Sequence, residues 1–218
     1  MSLFSFSGPA WRPVADPDAL LDQLSDDDDA PPLGPSTSAH ERELPMYDSV
    51  RLVCLASDAW GEDGRVCFLQ HGGRLLRLRG QSPPIHEVNA QAPIQLTEDD
   101  VLFYLSFFCL FVHGDEGPFY VLHDLEDDLL PDGFGDIEPQ GKVAAGTPRH
   151  LFRRPRLFGR DDQDRWRASG LVFYGGALFA ADFHVRPDGM VEMVEDGPLA
   201  TELNATVRLN LTPERGGE

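Results

Sequence analysis

The stretch RWRASGLVFYGGALFAADFHVRPDGMVEMV, residues 165–194, decides the fold of this chain. Two apolar runs flank the Gly-Gly pair at 175–176, and a second turn, RPDG at 186–189, follows the second run. Glycine adopts the positive φ angles of a tight hairpin turn at little cost, and a Pro-Asp-Gly sequence is typical of turns. The stretch therefore predicts three antiparallel strands, over 165–174, 177–185 and 190–194.

A fourth strand is predicted further along the chain. Apolar and polar residues alternate strictly between Leu203 and Leu211. A period of two belongs to a strand with one buried and one solvated face. Together with the three strands above, it predicts an antiparallel C-terminal sheet of four or five strands.

A long apolar segment is the predicted partner of this sheet. Thr97 and the three acidic residues after it favour the start of a helix, since a threonine caps free amides and acids suit the positive end of the helix dipole. Residues 101–112 are apolar on nearly every face, so the helix must be mostly buried. We therefore predict an α+β fold in which the sheet packs on one long buried helix. A cystatin-like roll has the same order of elements, and this analogy rests on that order alone.

A smaller β-hairpin unit is predicted ahead of the helix. Three short apolar runs indicate strands, at 50–56, 66–70 and 74–78. A His-Gly-Gly turn at 71–73 joins the last two as a hairpin. The proline-containing stretch 81–93 predicts a loop. Beyond the helix, 119–123 predicts a further strand, and the acidic stretch 124–138 predicts a loop.

The N-terminal part is predicted to lie outside the main domain. Asp16 and Pro17 indicate the start of a short helix within 1–25, because aspartate caps helices and proline suits their first position. Four aspartates and a proline-rich stretch follow, and such a composition buries too little apolar surface to offset its ordering entropy. We expect a flexible linker over 26–45, a single α+β domain over 46–212 and a disordered tail over 213–218. Within the domain, the hairpin unit is 46–97, the helix with its acidic loop 98–140, and the arginine-rich segment with the β-meander 141–212.

Charge is unevenly distributed along the 218 residues. The chain has 37 acidic and 18 basic residues and a net charge of −19. Residues 98–140 contain 12 acids and no lysine or arginine, whereas 141–170 contain eight bases and three acids. We expect these two segments to face one another, because uncompensated like charge destabilises a compact state. The acidic surface repels phosphates and anionic lipid, so we expect neither nucleic acid nor a membrane as a partner.

The cysteines and the N-terminus indicate a cytoplasmic protein. Cys54, Cys67 and Cys109 each lie in an apolar run without zinc-ligand spacing, which predicts three buried, reduced thiols and no structural metal. The first residues lack the pattern of a secretion signal, and the longest apolar run is shorter than the roughly 20 residues of a membrane span. Lys142 is the one lysine, a bias that indicates a bacterial, high-GC genome.

The chain contains no complete catalytic motif. His86-Glu87 lacks the second zinc-binding histidine, because position 90 is alanine. His123-Asp124 ends a predicted strand, without the further ligands that a metal requires. Neither a phosphate-binding glycine loop nor a G-x-S-x-G elbow occurs. We therefore expect no metal and no cofactor.

Four residues remain as candidates for acid–base catalysis. Asp182 and His184 are two positions apart on one predicted strand, so their side chains share a face. His113 follows the buried helix, and His86 lies in the predicted loop. If the four converged in a single pocket, the protein would be a small enzyme of hydrolase or isomerase type that uses a His/Asp pair.

The arginine-rich segment supports a different hypothesis. Between residues 149 and 160, arginines alternate with phenylalanine and leucine, a mixture typical of interface anchors. The candidate binding residues are Arg149, Phe152, Arg153, Arg156 and Phe158. The sequence thus predicts a non-enzymatic protein-interaction or regulatory module whose partner is an acidic protein surface. The oligomeric state is left open.

Overall fold

The structure is a computed structural model that describes residue 6 and residues 8–25 and 37–213. Its helices and antiparallel sheets confirm the α+β class. Most of the predicted linker, 26–36, and most of the predicted tail, 214–218, lie outside the described residues. The described residues form the α-helices α1 (Pro17–Ser25), α2 (Pro83–Gln91), α3 (Val101–Phe111) and α4 (Pro148–Leu151).

The N-terminal sheet is a five-stranded antiparallel meander in chain order. Its strands are β1 (Arg12–Pro13), β2 (Ser38–Glu43), β3 (Arg51–Ala56), β4 (Val66–His71) and β5 (Arg74–Leu78). The last three strands confirm the predicted runs. The hairpin unit is nevertheless larger than expected, because β1 and β2 extend it on one edge.

Strand β2 corrects the linker prediction, which was wrong for residues 38–43. This polar stretch pairs along its whole length with β3. Glu41 at its centre is buried between two arginines, with Arg12 at 3.1 Å and Arg51 at 3.2 Å. The compensation for this buried charge comes from two other strands, so the local sequence gave no sign of it.

The N-terminal sheet is buried on both faces. One face packs with α1 in a small cluster that includes Leu24, Val53 and Phe68. The other face contributes Leu52 and Leu69 to the main core, which also contains α3 and the second sheet. Successive residues of a strand point to opposite faces, so adjacent residues such as 52 and 53 enter different cores.

Helix α2 replaces the loop that we expected over 81–93, so that prediction was wrong. Its two prolines, Pro83 and Pro84, occupy the first turn, where a missing amide hydrogen costs nothing. Ile85 and Val88 are fully buried on its inner side. The prolines thus begin a helix here instead of marking a loop.

Helix α3 confirms the long buried helix, although it begins a few residues later than the capping signal suggested. It packs against the short strands that follow it, and nearly all of its residues are buried. No helix in the described part of the chain has the length and apolar content needed to cross a membrane. After α3 come a two-stranded ribbon, β6 (His113–Gly114) and β7 (Gly117–Pro118), and then β8 (Tyr120–Val121).

The C-terminal sheet has five antiparallel strands, within the predicted four or five. Besides β8 they are β9 (Arg156–Arg160), β10 (Trp166–Tyr174), β11 (Ala177–Val185) and β12 (Val191–Ala200). The order is β12-β11-β10, and both β8 and β9 pair with the other edge of β10. Strand β12 extends six residues beyond its predicted end at 194. It lies at the edge of the sheet, where a proline such as Pro198 does not interrupt the strand.

Residues 203–211 do not form the predicted strand. Leu203, Leu209 and Leu211 are buried, in keeping with the alternation. The backbone amides, however, bond to loops: Arg208 N donates to the Leu129 carbonyl, and Asn210 N to the Asp63 carbonyl. The alternation correctly indicated that leucines 203, 209 and 211 are buried, but among the described residues the pairing of this segment is limited to an isolated parallel bridge between Asn210 and Gly64.

Two of the three cysteines are bonded to each other. Cys54 on β3 and Cys67 on β4 are direct cross-strand partners and form a disulfide, while Cys109 in α3 is a buried free thiol. The prediction of three reduced thiols was wrong for this pair. The register that brings them together depends on pairing between strands, which their separation of 13 residues does not reveal.

Candidate functional site

A groove of about 600 Å³ lies on the C-terminal sheet. Its floor contains small residues on three adjacent strands, namely Ser169, Gly170, Ala180, Ala181 and Gly197, together with the buried Leu171. Because most of these side chains are short, the floor is low between the larger residues on either side. One of these sides is basic and the other is acidic.

The register of the sheet explains this polarity. Arg156 pairs with Ser169, Ser169 with Asp182, and Asp182 with Glu195. Direct cross-strand partners point to the same face, so these four residues form one row across β9, β10, β11 and β12. Adjacent strands lie about 4.8 Å apart, so the backbone at Arg156 and that at Glu195 are separated by about 14 Å.

The basic wall of the groove is formed by Arg153, Arg154 and Arg156. Arg153 donates a hydrogen bond of 2.6 Å to the carbonyl of Phe152. Neither Arg154 nor Arg156 forms an ion pair with any residue that the structure describes. Two guanidinium groups therefore remain available at the rim of the groove.

The acidic wall is formed by Asp182 and Glu195, which are cross-strand partners on the face that bears the groove. Like charges directly opposite each other in an antiparallel pair are destabilising, and Asp182 and Glu195 are such a pair. Within 37–213, these carboxylates have no arginine or lysine partner. The groove thus keeps unpaired opposite charges on its two sides.

Arg149 differs from the other arginines. Its Nε and Nη2 atoms donate to both carboxylate oxygens of Asp136, at 2.7 and 2.9 Å, and its Nη2 lies 3.7 Å from Glu126. These contacts lower the pKa of Asp136. The expectation that the acidic and basic segments face one another is therefore confirmed for Arg149, which ties α4 to the acidic loop.

The five predicted binding residues have four different surroundings. Arg153 and Arg156 line the groove, and Arg149 is held by the acidic loop. Phe152 is half-buried and packs against the main core, whereas Phe158 on β9 is 53% exposed. Sequence reasoning missed the acidic wall, since Glu195 carries no motif and meets Asp182 through register alone.

The four catalytic candidates do not share the groove. Asp182 and His184 lie on one face of β11, as predicted, but His184 is outside the groove lining, and its buried Nδ1 has no hydrogen-bond partner among the described residues. His86 lies against the Phe108 ring and lines a separate cavity of about 380 Å³. His113 Nε2 is 3.1 Å from the Leu110 carbonyl oxygen, and burial lowers the pKa of this histidine. An acid–base pair with an oriented imidazole is thus not assembled from these residues.

A Ser–His contact, which the sequence did not indicate, occurs between α3 and the end of β8. Ser106 Oγ lies 2.7 Å from His123 Nε2 and donates to the Leu102 carbonyl at 2.9 Å. A hydroxyl has one proton, so His123 is the donor in this contact and does not activate the serine. Burial, with a smaller contribution from nearby Arg154, lowers the pKa of His123 to about 4. The pair fastens β8 to the helix.

A second polar network fixes the turn between β11 and β12. Asn89 of α2 accepts a hydrogen bond from Tyr47 and donates to Tyr104 Oη at 3.1 Å. Tyr104 in turn donates to the carbonyl of Gly189 at 2.7 Å. Burial raises the pKa of both tyrosines. Gly189 has a φ of 82°, and a Cβ there would lie 2.3 Å from Asn89 Nδ2, so the network accepts only glycine at this position.

No three histidine, cysteine, aspartate or glutamate side chains in the described ranges are grouped closely enough to hold a metal ion. Comparisons with family models, curated proteins and solved structures find no match for the chain. The function must therefore be argued from the groove and its charges.

Proposed function

We propose that this protein is an interaction module that binds another protein through the groove on its C-terminal sheet. The observation that carries this proposal is the basic wall, where Arg154 and Arg156 form no ion pair with any described residue. A partner carboxylate can bind these guanidinium groups without first displacing an internal acid. Arginine forms bidentate, charge-assisted hydrogen bonds with carboxylates, so the partner presents acidic side chains there.

The surroundings of the arginines support binding rather than a purely solvated face. Phe158, on the same strand as Arg156, is 53% exposed, and exposed aromatic residues beside arginine are typical of interface anchors. The net charge of −19 makes nucleic acid and anionic membranes unfavourable partners, and the arginine and aromatic side chains favour a protein. Of the four residues that the enzyme hypothesis requires, Asp182 alone lines the groove. The groove therefore does not support that hypothesis, which stays a prediction.

The direct test is retention of a partner from native lysate by the immobilised protein. We expect wild type to retain a protein that the variant Arg154→Gln/Arg156→Gln does not, and that rising salt releases. A matched control, Arg74→Gln/Arg186→Gln, removes two exposed arginines that lie outside the groove. Equal retention by the groove variant and the control would show that the assignment is wrong.

The compartment of this interaction is a separate question. The sequence predicts the cytoplasm, but the Cys54–Cys67 disulfide is typical of an oxidising compartment. Alkylation of the protein taken from cells and unfolded in denaturant without a reductant, followed by mass spectrometry, decides between them. Protection of both residues from alkylation indicates an oxidising compartment, whereas alkylation of both indicates the cytoplasm.

A further inference from the structure

We infer that the segment bound in the groove is an extended peptide of mixed charge, with an acidic side chain on the basic wall and a basic side chain about four residues away on the acidic wall. This inference rests on the proposed function and names the chemistry of the partner. It replaces the uniformly acidic partner that the sequence alone predicted.

The acidic wall is the first reason. Asp182 and Glu195 are direct cross-strand partners, so two carboxylates border one side of the floor. A uniformly acidic peptide lying across the floor would meet these carboxylates and be repelled. A lysine or arginine of the peptide placed there would relieve the repulsion between Asp182 and Glu195 and satisfy charges that the described residues leave unpaired.

The dimensions of the sheet set the spacing. Three strand separations of about 4.8 Å lie between Arg156 and Glu195, which gives about 14 Å. An extended chain advances about 3.3 Å per residue, so about four residues cross this distance. A helix rises about 1.5 Å per residue and would need about nine.

The floor favours the extended form. Apart from Leu171, which is only 5% exposed, its side chains are those of glycine, alanine and serine, so the backbone of an extended peptide can approach the sheet closely. A helix is about 10–12 Å across with its side chains, so it would rest on the two walls without reaching the floor. Contact with the floor therefore requires a single extended chain.

Selection from a random twelve-residue peptide library, displayed against the intact protein, tests this inference. Four forms of the protein serve as baits: wild type, a basic-wall variant, an acidic-wall variant and a control. The substitutions are Arg154→Gln/Arg156→Gln, Asp182→Asn/Glu195→Gln and, for the control, Asp115→Asn/Glu116→Gln. The control changes two exposed acids on the β6–β7 turn, outside the groove, and alters the net charge as much as the acidic-wall variant does.

We expect wild type and control to enrich peptides with one acidic and one basic residue about four positions apart. The basic-wall variant should lose the preference for the acid, and the acidic-wall variant the preference for the base. A peptide selected on wild type should bind each wall variant at least about tenfold more weakly, and the control equally well. Thermal melting confirms that all four baits are folded.

The outcomes separate the inference from the proposed function. Enrichment of acidic peptides without a base, dependent on Arg154 and Arg156, overturns the inference and leaves the binding function standing. The same holds if a base is selected but persists on the acidic-wall variant. Enrichment that neither wall variant alters, or none on wild type, overturns both.

Discussion

Replacing Tyr104 with phenylalanine removes one oxygen atom from the network that joins α2, α3 and the β11–β12 turn. The side chain is 0% exposed, and its hydroxyl donates to the Gly189 carbonyl at 2.7 Å and accepts from Asn89 at 3.1 Å. The variant loses one net hydrogen bond, about 1 kcal/mol, and leaves the Gly189 carbonyl without this donor, about 1–2 kcal/mol more. We therefore expect the free energy of unfolding to fall by about 2–3 kcal/mol.

The matched control is Tyr47→Phe. The Tyr47 hydroxyl donates to Asn89, which lines the open cavity beside His86, so water can replace the lost donor. Its removal should cost about 1 kcal/mol or less. Urea titration followed by circular dichroism measures both variants, and for a chain of this size the Tyr104 variant should melt about 5–10 °C below wild type.

The pH dependence provides a second measurement on the same variant. Burial raises the pKa of Tyr104, so the unfolded chain loses its tyrosine proton near pH 10 while the folded chain retains it. Stability must therefore fall as the pH rises above about 10, and Tyr104→Phe should fall less steeply than wild type. A Tyr104 variant within about 0.5 kcal/mol of wild type, or no less stable than Tyr47→Phe, would refute the reasoning.

Three further predictions concern other parts of the fold. Burial lowers the pKa of His123 to about 4, so between about pH 6.5 and pH 4 the unfolded chain binds a proton at this histidine and the folded chain does not. The free energy of unfolding should therefore fall by about 2–3 kcal/mol as the pH drops from about 6.5 to 4. Asp182→Asn should raise stability by about 0.2–1 kcal/mol, because it removes the like charge opposite Glu195. Reduction of the Cys54–Cys67 disulfide should lower the free energy of unfolding by about 3 kcal/mol.

Each of these predictions has its own control. The acid sensitivity should be smaller in His123→Gln, and an identical pH slope would show that the imidazole is not responsible. Asp115→Asn removes an exposed acid without an opposed carboxylate, so it should leave stability nearly unchanged. Alkylation of the unfolded, unreduced protein should modify one cysteine, Cys109. Three modified cysteines would mean that the disulfide does not form.

The elements that the sequence predicted correctly are those with local causes. The Gly-Gly turn at 175–176 lies between two strands of regular period, so β10 and β11 follow from residues that are near in sequence. Helix α3 is predicted by an apolar run, and because this run is too short to cross a membrane, the helix must be buried in the protein core. The shared face of Asp182 and His184 is likewise a consequence of the two-residue period of one strand.

The tertiary structure decided which strands are neighbours, and therefore which charged side chains border the groove. Strand β2, the Cys54–Cys67 disulfide and the irregular segment 203–211 all depend on partners elsewhere in the chain. Glu195 and Met193 of β12 pair with the adjacent residues Asp182 and Phe183 of β11, so β12 contains one extra residue at this point. The acidic wall depends on this register shift. That shift places Glu195 opposite Asp182, and no periodicity within β12 could reveal it, because a cross-strand register is fixed by pairing and packing with the neighbouring strand.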